Sequence, residues 1–140
     1  MLKIAVCDDE MAACVQVQCA LAEILGREKV KYTIDLYDSA EALCSKMDGG
    51  RGRTEFDLIF LDIEFSKNEI DGVQAGLRIR NAYQNNAVSI VYISWEKDHA
   101  FDASYARPMR FLPKPLKAQE IEETVKIYLS LRNWKIITCE

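Results

Sequence analysis

One histidine, no Cys-x-x-Cys pair, no excess of basic charge and no long apolar run together exclude several kinds of chemistry for this chain. The five cysteines (Cys7, Cys14, Cys19, Cys44, Cys139) are an odd set with no Cys/His cluster, so neither a zinc site nor a disulfide framework is indicated. They read as small buried hydrophobes in a reducing compartment. The single histidine, His99, falls where a helix should begin and reads as a surface or capping residue. Lys and Arg number 18 against 22 Asp and Glu, a formal net charge of −4. That balance argues against direct nucleic-acid binding by this segment, because affinity for a phosphate backbone needs a basic face. No apolar stretch is long enough to cross a bilayer. The start, "MLKIAVCDDE", lacks the basic region, long apolar run and small-residue cleavage site of a signal peptide. A cytoplasmic protein with no membrane partner is expected.

With 140 residues, 49% hydrophobic and 29% charged, the chain has the length and composition of one soluble globular domain. "LKIAVC" (2–7) is a short apolar run stopped by acids; Cys14, Val17, Leu21, Ile24 and Leu25 then repeat at helical spacing, with Gly26 as a stop. "YTIDLYD" (32–38) alternates like a strand, and "SAEALCSKM" (39–47) reads as a helix capped by Ser39. "GGRGRTE" (49–55) reads as a flexible loop. Then come the strand "DLIFLD" (57–62), an irregular acidic loop, and a helix near Gly72 to Tyr83 with Val73, Gly76, Leu77 and Arg80 along one side. "SIVYIS" (89–94) is a strand, Lys97 to Ala106 a weak helix, "RFL" (110–112) a very short strand. The last helix starts near Lys117 and turns Ile121, Val125, Tyr128 and Leu129 inward. Strands and helices that alternate in this way point to an α/β fold, with a parallel sheet covered by helices on both faces.

In such a sheet ligands bind beyond the carboxyl ends of the strands. The residues at those ends are Asp8 and Asp9, Asp62 and Glu64, Ser94, and Lys114. Singly each has a plain role: a helix cap, a turn acid, a strand-end hydroxyl, a solvated lysine in a rigid turn. All of them at the same end of consecutive strands make one site. Clustered carboxylates raise one another's pKa unless a cation shares the site, and hard oxygen ligands suit Mg²⁺.

"KIAVCDDE", "FDLIFLDIEF…DGVQAG", "IVYIS" and "FLPKPL" resemble the receiver domain of two-component response regulators over residues 2 to about 130. The longer loop from Asp62 to Asp71-Gly72, with "DHAFDASYARPMRFLPKPL", is most similar to receivers that precede LytTR-type DNA-binding domains. The resemblance implies a flavodoxin-like (βα)5 receiver fold with strand order 2-1-3-4-5. It makes Asp62 the phosphoacceptor, phosphorylated by a sensor histidine kinase, and makes Asp8, Asp9, Asp62 and the Glu64 backbone carbonyl the ligands of Mg²⁺ (or Mn²⁺). Ser94 and Lys114 become the groups that contact the phosphoryl oxygens, Phe111 the aromatic switch, and the Lys114-Pro115 bond a cis peptide. The residue after the switch hydroxyl is usually small in this family; here it is Trp95, which with Glu64 and Glu96 would set phosphate access and lifetime. A homodimer through the fourth helix, fifth strand and fifth helix is implied, with DNA reached only through an output domain outside this sequence. Residues 1–132 form the receiver on this reading. Residues 133–140, with Trp134 past the last helix, are a docking tail or the first strand of that output domain.

Two other functions compete. A Mg²⁺-dependent phosphohydrolase would use Asp62 or Asp8 as nucleophile, but dehalogenase-type phosphatases need D-x-D where this chain has adjacent "DD", and "DIE" fits a Toprim pattern only in part. The third is a receiver that works without phosphate as an interaction module, which Trp95 keeps open. Turnover separates the first two, since a receiver is modified stoichiometrically and is not an enzyme.

Overall fold

Side chains of a strand point alternately to its two faces, so an uninterrupted apolar strand belongs between two covered faces. The computed structural model describes residues 1–49, 56–65, 70–81 and 87–138, with side chains through Asn133. Among these, β1 (Leu2–Cys7), β2 (Tyr32–Tyr37), β3 (Leu58–Asp62), β4 (Ser89–Ser94) and β5 (Arg110–Pro113) form one parallel sheet in the order β2-β1-β3-β4-β5. The crossovers hold α1 (Met11–Arg27), α2 (Ala40–Gly49), α3 (Gly72–Asn81) and α4 (His99–Ala103), the last followed by a 3-10 turn at Ser104–Ala106; α5 (Ala118–Thr138) closes the fold. This is the five-stranded flavodoxin-like fold that the motifs imply. Among the described residues no helix is long and apolar enough to cross a membrane.

The alternation produces two cores. Ile4, Val6, Leu58, Phe60, Val91 and Ile93 pack with Leu21, Leu25, Ile121 and Val125 of α1 and α5. Ala5, Cys7, Ile59, Leu61, Ile90 and Tyr92 pack on the other face with Leu43 and Met47 of α2 and with Ala75 and Ile79 of α3. Each fully buried aliphatic side chain contributes about 1.5–3 kcal/mol before ordering costs, so β1, β3 and β4, buried on both faces, anchor the sheet. An ion pair between Arg27 and Glu122 links α1 to α5 at the surface.

The helix ends differ in part from the sequence pattern. Ser39 caps α2, its Oγ accepting from the Ala42 N–H at 3.0 Å. Gly26 is not the stop of α1. The chain turns instead at Lys29 (φ 56°), where the Lys29 N–H donates to Gly26 O at 3.2 Å and the Val30 N–H donates to Leu25 O at 3.0 Å. That is a Schellman closure, and Val30 packs into the same core as Leu25, the hydrophobic contact that fixes the helix end. In α3 the inward stripe includes Ala75 and Ile79 beside Val73, Gly76 and Arg80, and Leu77 is only partly buried. The helix is described to Asn81; Tyr83, the loop 50–55 and residues 66–69 of the acidic loop lie outside the described residues. Asn133–Thr138 continue α5, so Trp134 falls within the last helix and not past it. No Gly or Pro interrupts Ala118–Thr138, so the sequence carries no breaker within that span. Cys7, Cys14 and Cys44 are buried as read, whereas Cys19 is exposed on the outer face of α1.

Candidate functional site

Parallel strands bring all their carboxyl ends to one edge, and the loop residues there converge. Asp8 follows β1, Asp62 ends β3, Ser94 ends β4, and Lys114 follows β5, its N–H held on Ser94 O at 2.8 Å. The Lys114-Pro115 peptide is cis. Asp8, Asp62, Ser94 and Lys114 are buried, at 2%, 1%, 1% and 9% exposure. A cleft of 410 Å³ opens beside Asp62 and Lys114, with Asp9, Glu64, Trp95 and His99 also in its wall.

Lys114 is the hub. Its Nζ lies 2.9 Å from Asp8 Oδ2 and 3.3 Å from Asp62 Oδ2. Burial alone would lower the ammonium's pKa, but Asp8 and Asp62 outweigh it and hold the pKa above its ordinary value. Asp8 Oδ1 accepts from the Glu10 N–H at 2.9 Å, so the acid serves both as a turn cap and as a partner of Lys114. Asp62 Oδ1 is buried with no hydrogen bond among the described residues. Burial, then the neighbouring charge of Asp8, push the Asp62 carboxyl up to about 7 against the pull of Lys114. Asp8, Asp9 and Asp62 each offer a carboxylate oxygen, all within 4.8 Å of one another. Three hard oxygens, one of them buried without a partner, fit a small divalent cation better than any neutral ligand.

Other site residues are distributed differently. Ser94 Oγ–H faces Glu64, 2.8 Å from Oε1 and 2.9 Å from Oε2, and Ser94 Oγ accepts from the Glu96 N–H at 2.9 Å. Glu96 meets the site through its backbone; its side chain is exposed. The Trp95 ring is 56% exposed, with Lys114 Nζ 5.9 Å from its centroid, at the outer limit of cation–π attraction. Phe111 does not reach the cleft; it lies in β5 opposite Tyr92, half-buried against the core under α3. His99 starts α4, half-buried at the cleft's rim.

Two structural roles at the site were not assigned from the sequence. Asp71 and Gln74 cap α3 reciprocally: the Gln74 N–H donates to Asp71 Oδ1 at 2.8 Å, and the Asp71 N–H to Gln74 Oε1 at 2.9 Å. The D-x-x-Q spacing was the signal for it. Gly72 next door lies so close to β3 that a Cβ would sit 2.0 Å from Asp62 O. The first turn of α3 therefore rests on the backbone of Asp62. Burial raises the pKa of Cys7 and Cys14 as well, Cys14 to about 11, so neither is a thiolate at neutral pH.

Solved structures show the same fold. The response regulatory domain of protein mrkE from Klebsiella pneumoniae is 20% identical, with a TM-score of 0.76 over 93% of this chain and 97% of that one. A CheY-like receiver domain protein from Methanospirillum hungatei is 15% identical, with a TM-score of 0.76 over 96% and 98%. The response regulator TrrA from Thermotoga maritima, solved in complex with Mg²⁺ and beryllofluoride, is 27% identical, with a TM-score of 0.67 over 91% and 99%. No curated protein sequence matches the chain significantly. The family model of the response regulator receiver domain matches residues 4–126, and with the sheet order and the acid cleft it assigns the chain plainly: it belongs to the receiver domain family of two-component response regulators.

Proposed function

We propose that this domain is a phospho-accepting switch in which a sensor histidine kinase donates a phosphoryl group to Asp62. The observation that carries the reading is the buried Asp62 Oδ1, without a hydrogen-bond partner among the described residues, beside a lysine that holds the other oxygen of the same carboxylate. Modification by histidine kinases, with dependence on Mg²⁺, is general for the family.

Asp62 Oδ1 attacks phosphorus: an O–P bond forms, the P–N bond of the donor phosphohistidine breaks, and the electron pair leaves on the imidazole nitrogen. Lys114, fixed by Asp8, keeps Asp62 oriented and pairs with a phosphoryl oxygen; a positioned charge is worth most in a buried site. Asp8, Asp9, Asp62 and the Glu64 carbonyl are the groups that would hold Mg²⁺ (or Mn²⁺), which when bound neutralises carboxylate and phosphoryl charge. Ser94 contacts a second phosphoryl oxygen, Phe111 responds as the aromatic switch, and Trp95, Glu64 and Glu96 set access and lifetime.

The output surface is α4, β5 and α5, used for a homodimer or an attached domain. Phe101 and Tyr105, 71% and 62% exposed and packed edge-to-face at 5.7 Å, support that surface. The receiver unit is residues 1–132, with 133–140 leading toward a LytTR-type DNA-binding domain and control of transcription; the segment "DHAFDASYARPMRFLPKPL" supports that output. Incubation with a small acyl-phosphate donor and Mg²⁺ should add the mass of one phosphoryl group, and Asp62→Asn should abolish the gain. Phosphate on another acid in the variant would overturn the assignment, and multiple turnover would favour a phosphohydrolase.

A further inference from the structure

Asp62 pairs with Ile93 in the register of β3 and β4, so Glu64, two residues on, comes level with Trp95. The Glu64 carboxylate uses that placement. Its Oε1 accepts from the Trp95 N–H at 2.7 Å and lies 2.8 Å from Ser94 Oγ, while Oε2 lies 2.9 Å from the same hydroxyl. The Glu96 N–H occupies the acceptor side of Ser94 Oγ, which leaves the hydroxyl proton for Glu64. Glu96 O, 3.0 Å from Ser94 Oγ, is the weaker rival for that proton, because a charged acceptor outcompetes a neutral one. A hydroxyl and a peptide N–H aimed together from a strand end at one carboxylate are the donors of an oxyanion seat. Here that seat already holds an anion, tethered to the chain two residues from Asp62.

We propose that Glu64 is an internal competitor: in the unmodified domain its carboxylate occupies the seat formed by Ser94 Oγ–H and Trp95 N–H, and an incoming phosphoryl group must displace it. The inference rests on the phospho-acceptor reading of Asp62. Two negative groups cannot share two donors, and the short tether holds Glu64 at high effective concentration. Occupation of the seat lowers the apparent affinity for any external oxyanion by the fraction of time that the seat is free. It also holds the Ser94 hydroxyl turned toward Glu64 when no phosphate is present.

The experiment is a titration of the whole chain with beryllofluoride, which stands in for the phosphoryl group on Asp62, at saturating Mg²⁺ and followed by tryptophan fluorescence. Glu64→Ala should bind the analogue about tenfold more tightly than the wild type. Glu64→Gln, which keeps one acceptor oxygen without the charge, should fall between them. The Trp95 amide proton should move upfield in Glu64→Ala before any ligand is added, a shift that reads the contact itself in a folded protein. Equal affinities of wild type and Glu64→Ala overturn the competitor while leaving Asp62 as acceptor. Glu64→Gln binding as tightly as Glu64→Ala overturns it also, because simple charge repulsion then explains the effect. No analogue binding by any of the three chains overturns the phospho-acceptor reading, and this inference with it.

Discussion

Asp62 at the residue scale is a carboxylate destabilised by its own setting. Its pKa in the folded chain is pushed to about 7 by burial and by Asp8, above the ordinary 3.8. Between those values the unfolded chain is ionised while the folded chain keeps the proton, so without metal rising pH favours unfolding. The loss sets in near the lower value and is complete above the higher one. Asp62→Asn should therefore be more stable than wild type at pH 8, by a few kcal/mol, and close to it near pH 4. Urea unfolding of the metal-free proteins at the two pH values measures the gap. Added Mg²⁺ should narrow it at pH 8, because a bound cation lets the folded chain hold the charge. A gap unchanged from pH 4 to pH 8 would show that the cost of Asp62 is not ionisation.

Packing between elements sets α3 against β4 at one tight place. Tyr92 is fully buried in β4, its hydroxyl donating to Gly72 O at 3.1 Å, and a Cβ at Gly76 would lie 1.8 Å from that hydroxyl. The small residues of α3 and the tyrosine of β4 thus fill one another's space. Gly76→Ala should destabilise the domain by about 1–3 kcal/mol through overpacking. Tyr92→Phe removes the clashing oxygen and should recover part of that loss in the double variant, which thermal unfolding of the four-protein cycle measures. Additive effects would mean that α3 relieves the contact by shifting along the sheet. Arg80, on the same helix, has its guanidinium turned to the carbonyls of Val88 and Ala106 at 2.7 Å each, which ties α3 to the β4 entrance and the 3-10 turn.

For the whole molecule, the cleft and the proposed output surface are joined through β4 and β5, whose ends carry Ser94 and Lys114. If modification of Asp62 redraws those ends, the α4, β5 and α5 face changes with them. Sedimentation with Mg²⁺ and beryllofluoride should show a monomer converting to a dimer, and Phe101→Ala with Tyr105→Ala should weaken the dimer severalfold while leaving analogue binding intact. An unchanged sedimentation coefficient and unchanged hydrogen exchange on that face would end the proposal for this domain.

The strands, their order of appearance and the acids at their ends were legible in the sequence because a parallel sheet buried on both faces writes itself as short apolar runs, each ended by a polar residue. Ser39 as a cap was readable for the same local reason. The end of α1 was not, since Gly26 looked like the stop while the left-handed turn falls on Lys29, where Val30 reaches back to the core. The helical course of Asn133–Thr138 was missed because helix continuation is signalled only by the absence of a breaker. Asp62, Asp8 and Lys114 could be named as neighbours from strand ends alone. That Lys114 bridges the two acids, that Asp62 Oδ1 has no hydrogen bond among the described residues, and that Glu64 reaches Ser94 and the Trp95 N–H were decided only in three dimensions. Local sequence sets which residues stand at a strand's end; the distances between ends depend on register, twist and packing against helices far along the chain.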